Sequence, residues 1–346
     1  MKTIVIFLVS LVAFLSFNVH SKEKNEVNLY SYRQEFLLRP FLKVFEEKTG
    51  IKVNVFFTKK GLIERLKSEG KNTPADAVLT VDIGNLSTIA NLGLFQTFDS
   101  KIISKNIPKK FRHENNLWVG LSARARIIYY SKDRIDLKDL KSYKDLTNKK
   151  FKGKICSRSG LHNYNLALLS SMIHHHGEEY SLKWAKTLKE NLARKPQGND
   201  RAQVKAISEG LCDLALGNTY YMGKMLENPK QRGWAASTGI FFPDQKGVGT
   251  HVNLSGAGIT KHAKNKENAI KLIEFLSGDL AQHMYAHVNH EYPLKKGVNL
   301  SLIVQSFGKM QDGIDKGSFK QDLTSLPKLG SLREKAIRIM QKAGFN

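Results

Sequence analysis

The run of residues 118–131 (WVGLSARARIIYYS) constrains the fold of this chain more than any other stretch. It has extended character throughout and is far longer than a typical strand of about five or six residues. A strand of that length often passes from one domain into another. We therefore predict that the chain crosses between two domains within this run, and its 346 residues are enough to build two cores.

Alternating strands and helices precede this run. Strands are predicted at residues 27–32, 51–57 and 75–82, and helices at 36–49 and 62–69. Alternation of this kind predicts a parallel sheet with right-handed crossovers. The first lobe of the molecule is therefore expected to be an α/β unit.

A second alternation follows the long run, with helices predicted at residues 164–175, 181–193 and 202–209 and an apolar strand at 211–216. A glycine-rich strand at 252–260 then returns the chain to the first unit. We predict an α/β fold of two lobes, joined by crossing strands, with a cleft between the lobes. Lobe one comprises residues 22–122 and 248–297, and lobe two comprises residues 123–247 and 298–346.

The first residues predict an exported protein. Lys2 precedes an apolar run at 4–17, and Val19 and Ser21 occupy the positions that precede a signal-peptide cleavage site. The apolar run is too short to span a membrane. We predict that residues 1–21 are a signal peptide and that the mature protein is soluble in the periplasm.

Two cysteines, Cys156 and Cys212, form an even count in what would be an oxidising compartment. One disulfide between them is an option. Two separate buried thiols are the other, and both stay open at this point.

The chain is strongly basic, with 55 Lys and Arg against 31 Asp and Glu and a formal net charge of +24. Such a balance is often found in nucleic-acid-binding proteins. Here the basic residues are scattered, as in the pairs Lys59-Lys60 and Lys149-Lys150, rather than gathered into one patch. We therefore expect no nucleic-acid partner, and expect the charge to attract anions or an acidic surface.

Motifs of familiar enzymes are absent from the sequence. It has no phosphate-binding glycine loop, no Gly-x-Ser-x-Gly elbow and no His-Glu-x-x-His helix. The run His174-His175-His176 is typical of metal-binding tracts, yet it ends a predicted helix, where a surface position is the favoured interpretation. We predict a binding protein rather than an enzyme.

Tyrosines open two of the helices predicted in lobe two. The strand that reaches Leu216 is broken by Gly217 and Asn218, and Asn218 is a good N-cap for a helix that places Tyr220 and Tyr221 in its first turn. Tyr164 opens another helix in the same way. Because open α/β sheets bind ligands at the carboxyl ends of their strands, we expect these side chains to face the cleft. We refer to Tyr164, Tyr220 and Tyr221 as the tyrosine cluster.

Three phenolate oxygens are hard ligands that suit a small and highly charged cation. Together they would cancel the charge of a ferric ion. A phenol has a pKa near 10, so binding must release protons. Arg124, on the crossing strand, could hold an anion or offset excess negative charge.

The chain resembles the periplasmic ferric-iron-binding proteins, the transferrin-like solute-binding proteins of bacterial iron ABC importers. The resemblance covers nearly the whole predicted mature chain, and the runs that carry it occur in the family's order. They are LYSYRQ at 29–34, KTGIKV at 48–53, LSARAR at 121–126, ICSRS at 155–159, KPQGNDR at 195–201 and NTYY at 218–221.

The resemblance implies a bilobal type II periplasmic-binding-protein fold in which the tyrosine cluster coordinates Fe(III). It also implies that Arg124 lies near the metal or near a bicarbonate-like anion that accompanies it. The implied partner is an iron ABC permease in the inner membrane. We expect the binding protein itself to be a monomer.

The chain departs from the family at one place. Some members carry a His-Tyr pair just after the first strand, where this sequence has Gln34 and Glu35. A site of three tyrosines, completed by an anion or by water, is therefore expected. Gln34 and Glu35, like Arg124, are candidates for binding the anion or for supporting the ligands. A carboxylate ligand from Glu35 and a surface position for Glu35 both stay open.

The alternative function is binding of ferrous iron, or of an organic or oxyanionic solute, by a protein of the same fold. Organic and oxyanionic solutes are typically held by aromatic stacking or by Ser, Thr and backbone donors. Those interactions do not explain why three phenols would face one cleft.

Overall fold

The computed structural model describes residues 25–58, 60–322 and 324–346. The predicted signal peptide, residues 1–21, lies outside the described residues. Among those that are described, no helix combines the length and the apolar character needed to cross a membrane.

Alternating elements lead up to the long crossing strand, as the sequence predicted. They are β1 (Glu26–Ser31), α1 (Glu35–Thr49), β2 (Lys52–Phe57), α2 (Leu62–Glu69), β3 (Ala77–Thr80), α3 (Ile83–Asn91), β4 (Phe95–Gln96), α4 (Lys101–Asn106) and β5 (Val119–Ser131). Gly50 ends α1 in the left-handed conformation, with φ of 68°, and its N–H donates to the carbonyl of Glu46. A glycine reaches this conformation without the cost that a Cβ atom adds.

The second set of elements follows β5. It consists of β6 (Ile155–Cys156), α5 (Asn163–Glu190), α6 (Asp200–Ser208), β7 (Leu214–Asn218), α7 (Thr219–Glu227), α8 (Arg232–Ala236) and β8 (Thr238–Phe241). The two helices predicted at 164–175 and 181–193 correspond to the two parts of α5, which ends at Glu190 rather than at residue 193. Gly177, with φ of 83° and ψ of 172°, interrupts the helical geometry between them.

The remaining elements return to the first sheet and then form the C-terminal segment. They are β9 (Val252–Thr260), α9 (Lys266–Ser277), α10 (Asp279–His287), β10 (Tyr292–Pro293), α11 (Leu302–Gln305), α12 (Leu326–Ser331) and α13 (Arg333–Lys342). α13 packs against α5, and α12 packs against α3. The C-terminal segment therefore contacts elements on both sides of the crossing strands.

The strands form one connected path in the order β2-β1-β3-β9-β5-β7-β6. Strands β1, β2 and β3 pair in parallel, as predicted, but β9 runs antiparallel to both β3 and β5. β5 exchanges partners along its length: residues 119–125 pair with β9, whereas residues 126–130 pair with β7. Every residue of β5 is buried, because each half lies in the middle of its own sheet region. The lobe boundaries given above remain predictions.

A disulfide joins Cys156, in β6, to Cys212, just before β7. The Cα atoms lie 5.9 Å apart, within the range that a disulfide spans without moving the backbone. Because β6 pairs in parallel with β7, the disulfide links neighbouring strands. The two cysteines therefore form a disulfide and are not two separate buried thiols.

Candidate functional site

The turn from β7 into α7 is held by close packing on Tyr129. A Cβ atom at Gly217 would lie 1.8 Å from Cε2 of Tyr129, so only glycine fits there. The hydroxyl of Tyr129 donates to the carbonyl of Asn218 at 2.5 Å. The side chain of Asn218 does not cap α7, contrary to the sequence prediction, although the residue stands at the N-cap position. Its Oδ1 instead accepts from Nη1 of Arg126 at 3.1 Å.

Tyr164 is placed by the start of α5. The Nδ1 of His162 accepts the backbone N–H of Tyr164 at 3.2 Å and so caps the helix. The two rings meet edge-on, with centroids 4.5 Å apart. Burial, followed by the positive charge of Arg158, lowers the pKa of His162 to about 3. His162 is therefore a neutral cap at physiological pH.

The structure brings the tyrosine cluster together. The hydroxyl of Tyr164 lies 3.3 Å from the hydroxyl of Tyr220. The rings of Tyr220 and Tyr221 have centroids 4.1 Å apart and are tilted by 30°. All three side chains are buried, with residue exposures between 2 and 5%. Three buried phenol groups from two helices therefore lie close together.

The electrostatics of this site resist ionisation of the free phenols. Burial raises the pKa of Tyr220 well above its ordinary value, and the neighbouring phenols Tyr164 and Tyr221 raise it further. Burial likewise raises the pKa of Tyr221. Arg124 and Arg158 act in the opposite sense, on Tyr220 and Tyr221 respectively, because a cation favours a phenolate. A strong cation is needed to displace these protons near neutral pH.

Arg124 is a buried cation beside the tyrosine cluster. It is 1% exposed, and its Cζ lies 5.9 Å from the centroid of the Tyr164 ring. Its Nε and Nη1 atoms have no hydrogen-bond partner among the described residues. Leaving such groups buried and unpaired is costly, so the arrangement suits an anion that would accept from them.

A second buried network lies behind the tyrosine cluster and was not predicted from the sequence. The carboxylate of Asp200 accepts from Arg126 at 2.8 Å and from Arg158 at 2.9 Å. It also accepts the backbone N–H of Asn218 at 2.9 Å, at the start of α7. Burial alone would raise the pKa of Asp200, but the two guanidiniums outweigh it and hold this pKa below its usual range. Arg158 also stacks over the ring of Tyr164, with Cζ 5.2 Å from the centroid.

Gln34 and Glu35 have different environments. Nε2 of Gln34 donates to the hydroxyl of Tyr221 at 3.1 Å, which places Gln34 in the site. The side chain of Glu35 is half exposed and pairs at 2.6 Å with Arg39, one turn further along α1. The structure therefore does not bring Glu35 together with the tyrosine cluster.

Two hydrogen bonds connect the two predicted lobes. Gln34 follows β1, whereas Tyr221 follows β7 on the other side of β5. In the same way Nδ2 of Asn163, at the start of α5, donates to Asp82 at 3.2 Å. Both hydrogen bonds join elements that flank the two halves of the crossing strand.

Other candidate metal sites are weaker. Within the described residues, no group of three or more His, Cys, Asp or Glu side chains could hold a metal ion. In the run His174-His175-His176, Nε2 of His175 lies 3.1 Å from Asp322 and 3.0 Å from Thr324, in a local polar contact with the C-terminal segment. A cavity of about 680 Å³ is lined by Met222 and Leu226 of α7 but by no member of the tyrosine cluster.

The chain is similar in sequence to known binding proteins. A model of the family described as bacterial extracellular solute-binding protein matches residues 54–305. The chain is 44% identical to iron uptake protein A1 of Synechocystis over 93% of this chain and 88% of that protein.

Solved structures of similar proteins have the same fold as this chain. Apo ferric ion-binding protein A of Pasteurella haemolytica has a TM-score of 0.88 and 50% identity, over 93% of this chain and 98% of that one. A Trichodesmium protein solved in complex with iron and citrate ligands has a TM-score of 0.83 and 41% identity, over 93% and 100% of the two chains. The predicted fold and the resemblance drawn from the sequence are thereby confirmed. This chain belongs to the bacterial extracellular solute-binding proteins, a family of binding proteins rather than enzymes, and its relatives include proteins named for iron uptake and for ferric iron.

Proposed function

We propose that this chain captures ferric iron in the closed cleft through the phenolates of Tyr164, Tyr220 and Tyr221 and delivers it to an ABC permease in the inner membrane. The observation that carries the proposal is the meeting of three buried phenols beside an unpaired buried guanidinium. No arrangement of His, Cys, Asp and Glu in the described residues offers a rival metal site.

Charge and hardness favour ferric over ferrous iron. Three phenolates balance the charge of Fe(III), and hard oxygen donors suit a small, highly charged ion. A ferrous ion at the same site would leave an excess negative charge in a buried place, which is costly. Arg124 would offset that excess only at the expense of the accompanying anion that its unpaired donors suit, so ferric iron with an anion is the cargo proposed.

An accompanying anion fits the unpaired donors of Arg124. With three protein ligands, ferric iron keeps open coordination positions, and an anion such as bicarbonate or citrate would fill them. The Trichodesmium relative was solved with iron and citrate ligands, which supports an oxyanion in this role. Nε and Nη1 of Arg124 would donate to that anion and so satisfy their hydrogen-bonding capacity.

Closure of the two lobes would hold the ion. Contacts such as Gln34 to Tyr221 join the two sides of the cleft, and a bound cation would add contacts that exist only in the closed state. A ligand that binds one state better shifts the equilibrium toward that state. We propose that the mature protein acts in the periplasm as a monomer and that its closed, loaded form is recognised by the permease.

The test is a visible absorption spectrum of the purified mature protein, loaded with ferric citrate. We expect a broad charge-transfer band from phenolate to iron, and we expect Tyr221→Phe to weaken the band and to lower iron affinity by roughly 10- to 100-fold or more. The phenyl ring keeps the packing and removes only the donor oxygen, so the fold should persist.

Tyr130→Phe is the matched control, because Tyr130 is buried in the separate core cluster around α5 and α13. This variant should keep the parent's charge-transfer band and iron affinity. A parent protein without the band, or a Tyr221→Phe variant that binds iron as the parent does, would contradict the proposal. A thermal-shift screen of ferrous iron and small organic solutes would then identify the alternative ligand class.

A further inference from the structure

His290 lies between α10 and β10 and packs directly against α7, the helix that carries Tyr220 and Tyr221. The residue is 1% exposed, and its backbone φ is 56°. Left-handed backbone is uncommon for residues other than glycine and is tolerated where the surroundings hold it in place. Packing contacts and hydrogen bonds of residues 288–291 hold His290 in this backbone conformation.

Gly223 allows α7 to approach the ring of His290. A Cβ atom at Gly223 would lie 2.4 Å from Cγ of His290, so no larger residue fits while the ring is there. The same helix makes two further contacts with the segment. Nζ of Lys224 donates to the carbonyl of Val288 at 3.1 Å, and Oε1 of Glu227 lies 3.0 Å from Nε2 of His290.

The residues on either side of His290 are tied to α1 and its start. Nδ2 of Asn289 donates to the carbonyl of Leu37 at 3.0 Å. Oε2 of Glu291 lies 2.7 Å from Nη2 of Arg33 in a fully buried ion pair. Arg33 directly precedes Gln34, the residue that donates to the hydroxyl of Tyr221. Three consecutive residues therefore bind both helices that meet at the site.

We infer that His290 is a positioning residue for the tyrosine cluster, an inference that rests on the proposed function. The contact of its ring with Gly223 sets the position of α7 relative to α1, and thereby the distance between Tyr221 and Gln34. Residues 289–291 thus connect α1 to α7 and fix the spacing between the two helices. In the described structure they make no hydrogen bond to the three tyrosine hydroxyls, so they would act through α7, the helix that presents Tyr220 and Tyr221.

The experiment compares His290→Ala, Gly223→Ala and the double variant, each as the full mature chain loaded with ferric citrate. The readouts are the charge-transfer maximum and the rate of iron release to an excess of a competing chelator. We expect His290→Ala to move the maximum and to speed release by roughly 10-fold, as for other residues that orient metal ligands. Gly223→Ala should act in the same direction, because its methyl group displaces the ring.

The double variant supplies the decisive comparison. With the ring removed, the methyl group at position 223 has room, so the two effects should be strongly non-additive and release should return toward the parent rate. His287→Ala, which changes a histidine on the preceding helix that bonds to the carbonyl of Asn299, should leave both readouts unchanged.

Each other outcome overturns a specific statement. If His290→Ala lowers only the thermal stability of the iron-free protein and keeps the parent's band and release rate, His290 is structural and the positioning role is wrong. Additive effects in the double variant, or an equal effect of His287→Ala, overturn it as well. A parent without the band overturns the proposed function itself, and the positioning role together with it.

Discussion

At the scale of single residues, the site is built from side chains whose ordinary protonation is disturbed by burial. The phenols of Tyr220 and Tyr221 have raised pKa values, whereas the carboxyl of Asp200 has a lowered one. The difference lies in the neighbours. The phenols are close to one another, but Asp200 faces the two guanidiniums of Arg126 and Arg158. Neutral phenols at Tyr220 and Tyr221 therefore lie near a charged carboxylate at Asp200.

We expect Asp200→Asn to lower the free energy of unfolding by about 3–5 kcal/mol at pH 7, because it leaves two buried guanidiniums without a carboxylate. The lowered pKa of Asp200 fixes the sign of the pH dependence. Its stabilisation is present above the unfolded pKa, near 4, and is lost as the pH falls through the lower folded value. The difference between the variant and the parent should therefore shrink below about pH 4. Urea denaturation at pH 7 and at pH 3.5 measures it.

The control for this prediction is Glu35→Gln. Glu35 also pairs with an arginine, Arg39, but both side chains are more than half exposed. An exposed pair contributes about 0–1 kcal/mol, so this variant should unfold almost as the parent does. Equal unfolding midpoints for Asp200→Asn and the parent would show that the buried network does not stabilise the fold.

At the scale of secondary-structure elements, the disulfide secures a short strand at the end of the sheet path. β6 has only two residues; it pairs with β7, and Ile155 forms one further bridge, to Leu192. The disulfide closes a loop of sequence separation 56, and this loop contains Tyr164 and Asp200. Because β6 has few backbone hydrogen bonds, we expect the covalent link to add to its stability.

We expect the double variant Cys156→Ser/Cys212→Ser to lose about 2–4 kcal/mol of unfolding free energy, since the cross-link limits the entropy of the unfolded chain. Because the disulfide contacts none of the tyrosine hydroxyls, the iron charge-transfer band should keep its position. Thermal unfolding with and without a reductant provides the measurement. A reductant should lower the parent's melting temperature and leave the serine variant unchanged, and an equal response of the two proteins would contradict the prediction.

At the scale of the whole molecule, the proposed closure of the lobes over ferric iron would couple iron binding to proton release. The tyrosine cluster is buried, and burial is the first cause of the raised pKa of Tyr220. A phenol that becomes an iron ligand must release its proton, so acid opposes binding.

We therefore expect the affinity for ferric iron to fall as the pH is lowered, by about tenfold per pH unit for each phenol proton released. Competition with a chelator of known proton affinity at pH 6, 7 and 8 gives the slope. Tyr221→Phe should show a slope smaller by one proton, since it has one ionising ligand fewer. An affinity that does not change with pH would show that the phenols are not the ligands.

Much of the local structure is determined by the sequence alone. The predicted helix at 62–69 and the predicted strand at 252–260 match α2 and β9 to the residue. The long run at 118–131 is one strand, β5, as its extended character indicated. Tyr164 and Tyr220 both stand in the first turn of a helix that follows a strand. These features depend on residues that are near one another in the chain, so periodicity and strand length predict them. The predicted strand break at Gly217 and Asn218 is wrong, because both residues lie within β7.

Tertiary structure alone decides which distant groups meet. Asp200 pairs with Arg126 and Arg158, which lie 74 and 42 residues away in the sequence, and no local pattern selects those partners. Although its position predicts a cap, the side chain of Asn218 does not cap α7, because its Oδ1 accepts a hydrogen bond from Arg126 instead. The choice between a disulfide and two thiols, and the separation of Glu35 from the site, depend in the same way on how β6, β7 and α1 pack. Local preferences are worth a few tenths of a kcal/mol to about 1 kcal/mol, whereas pairing a buried charge is worth several, so the packed interior decides where the two conflict.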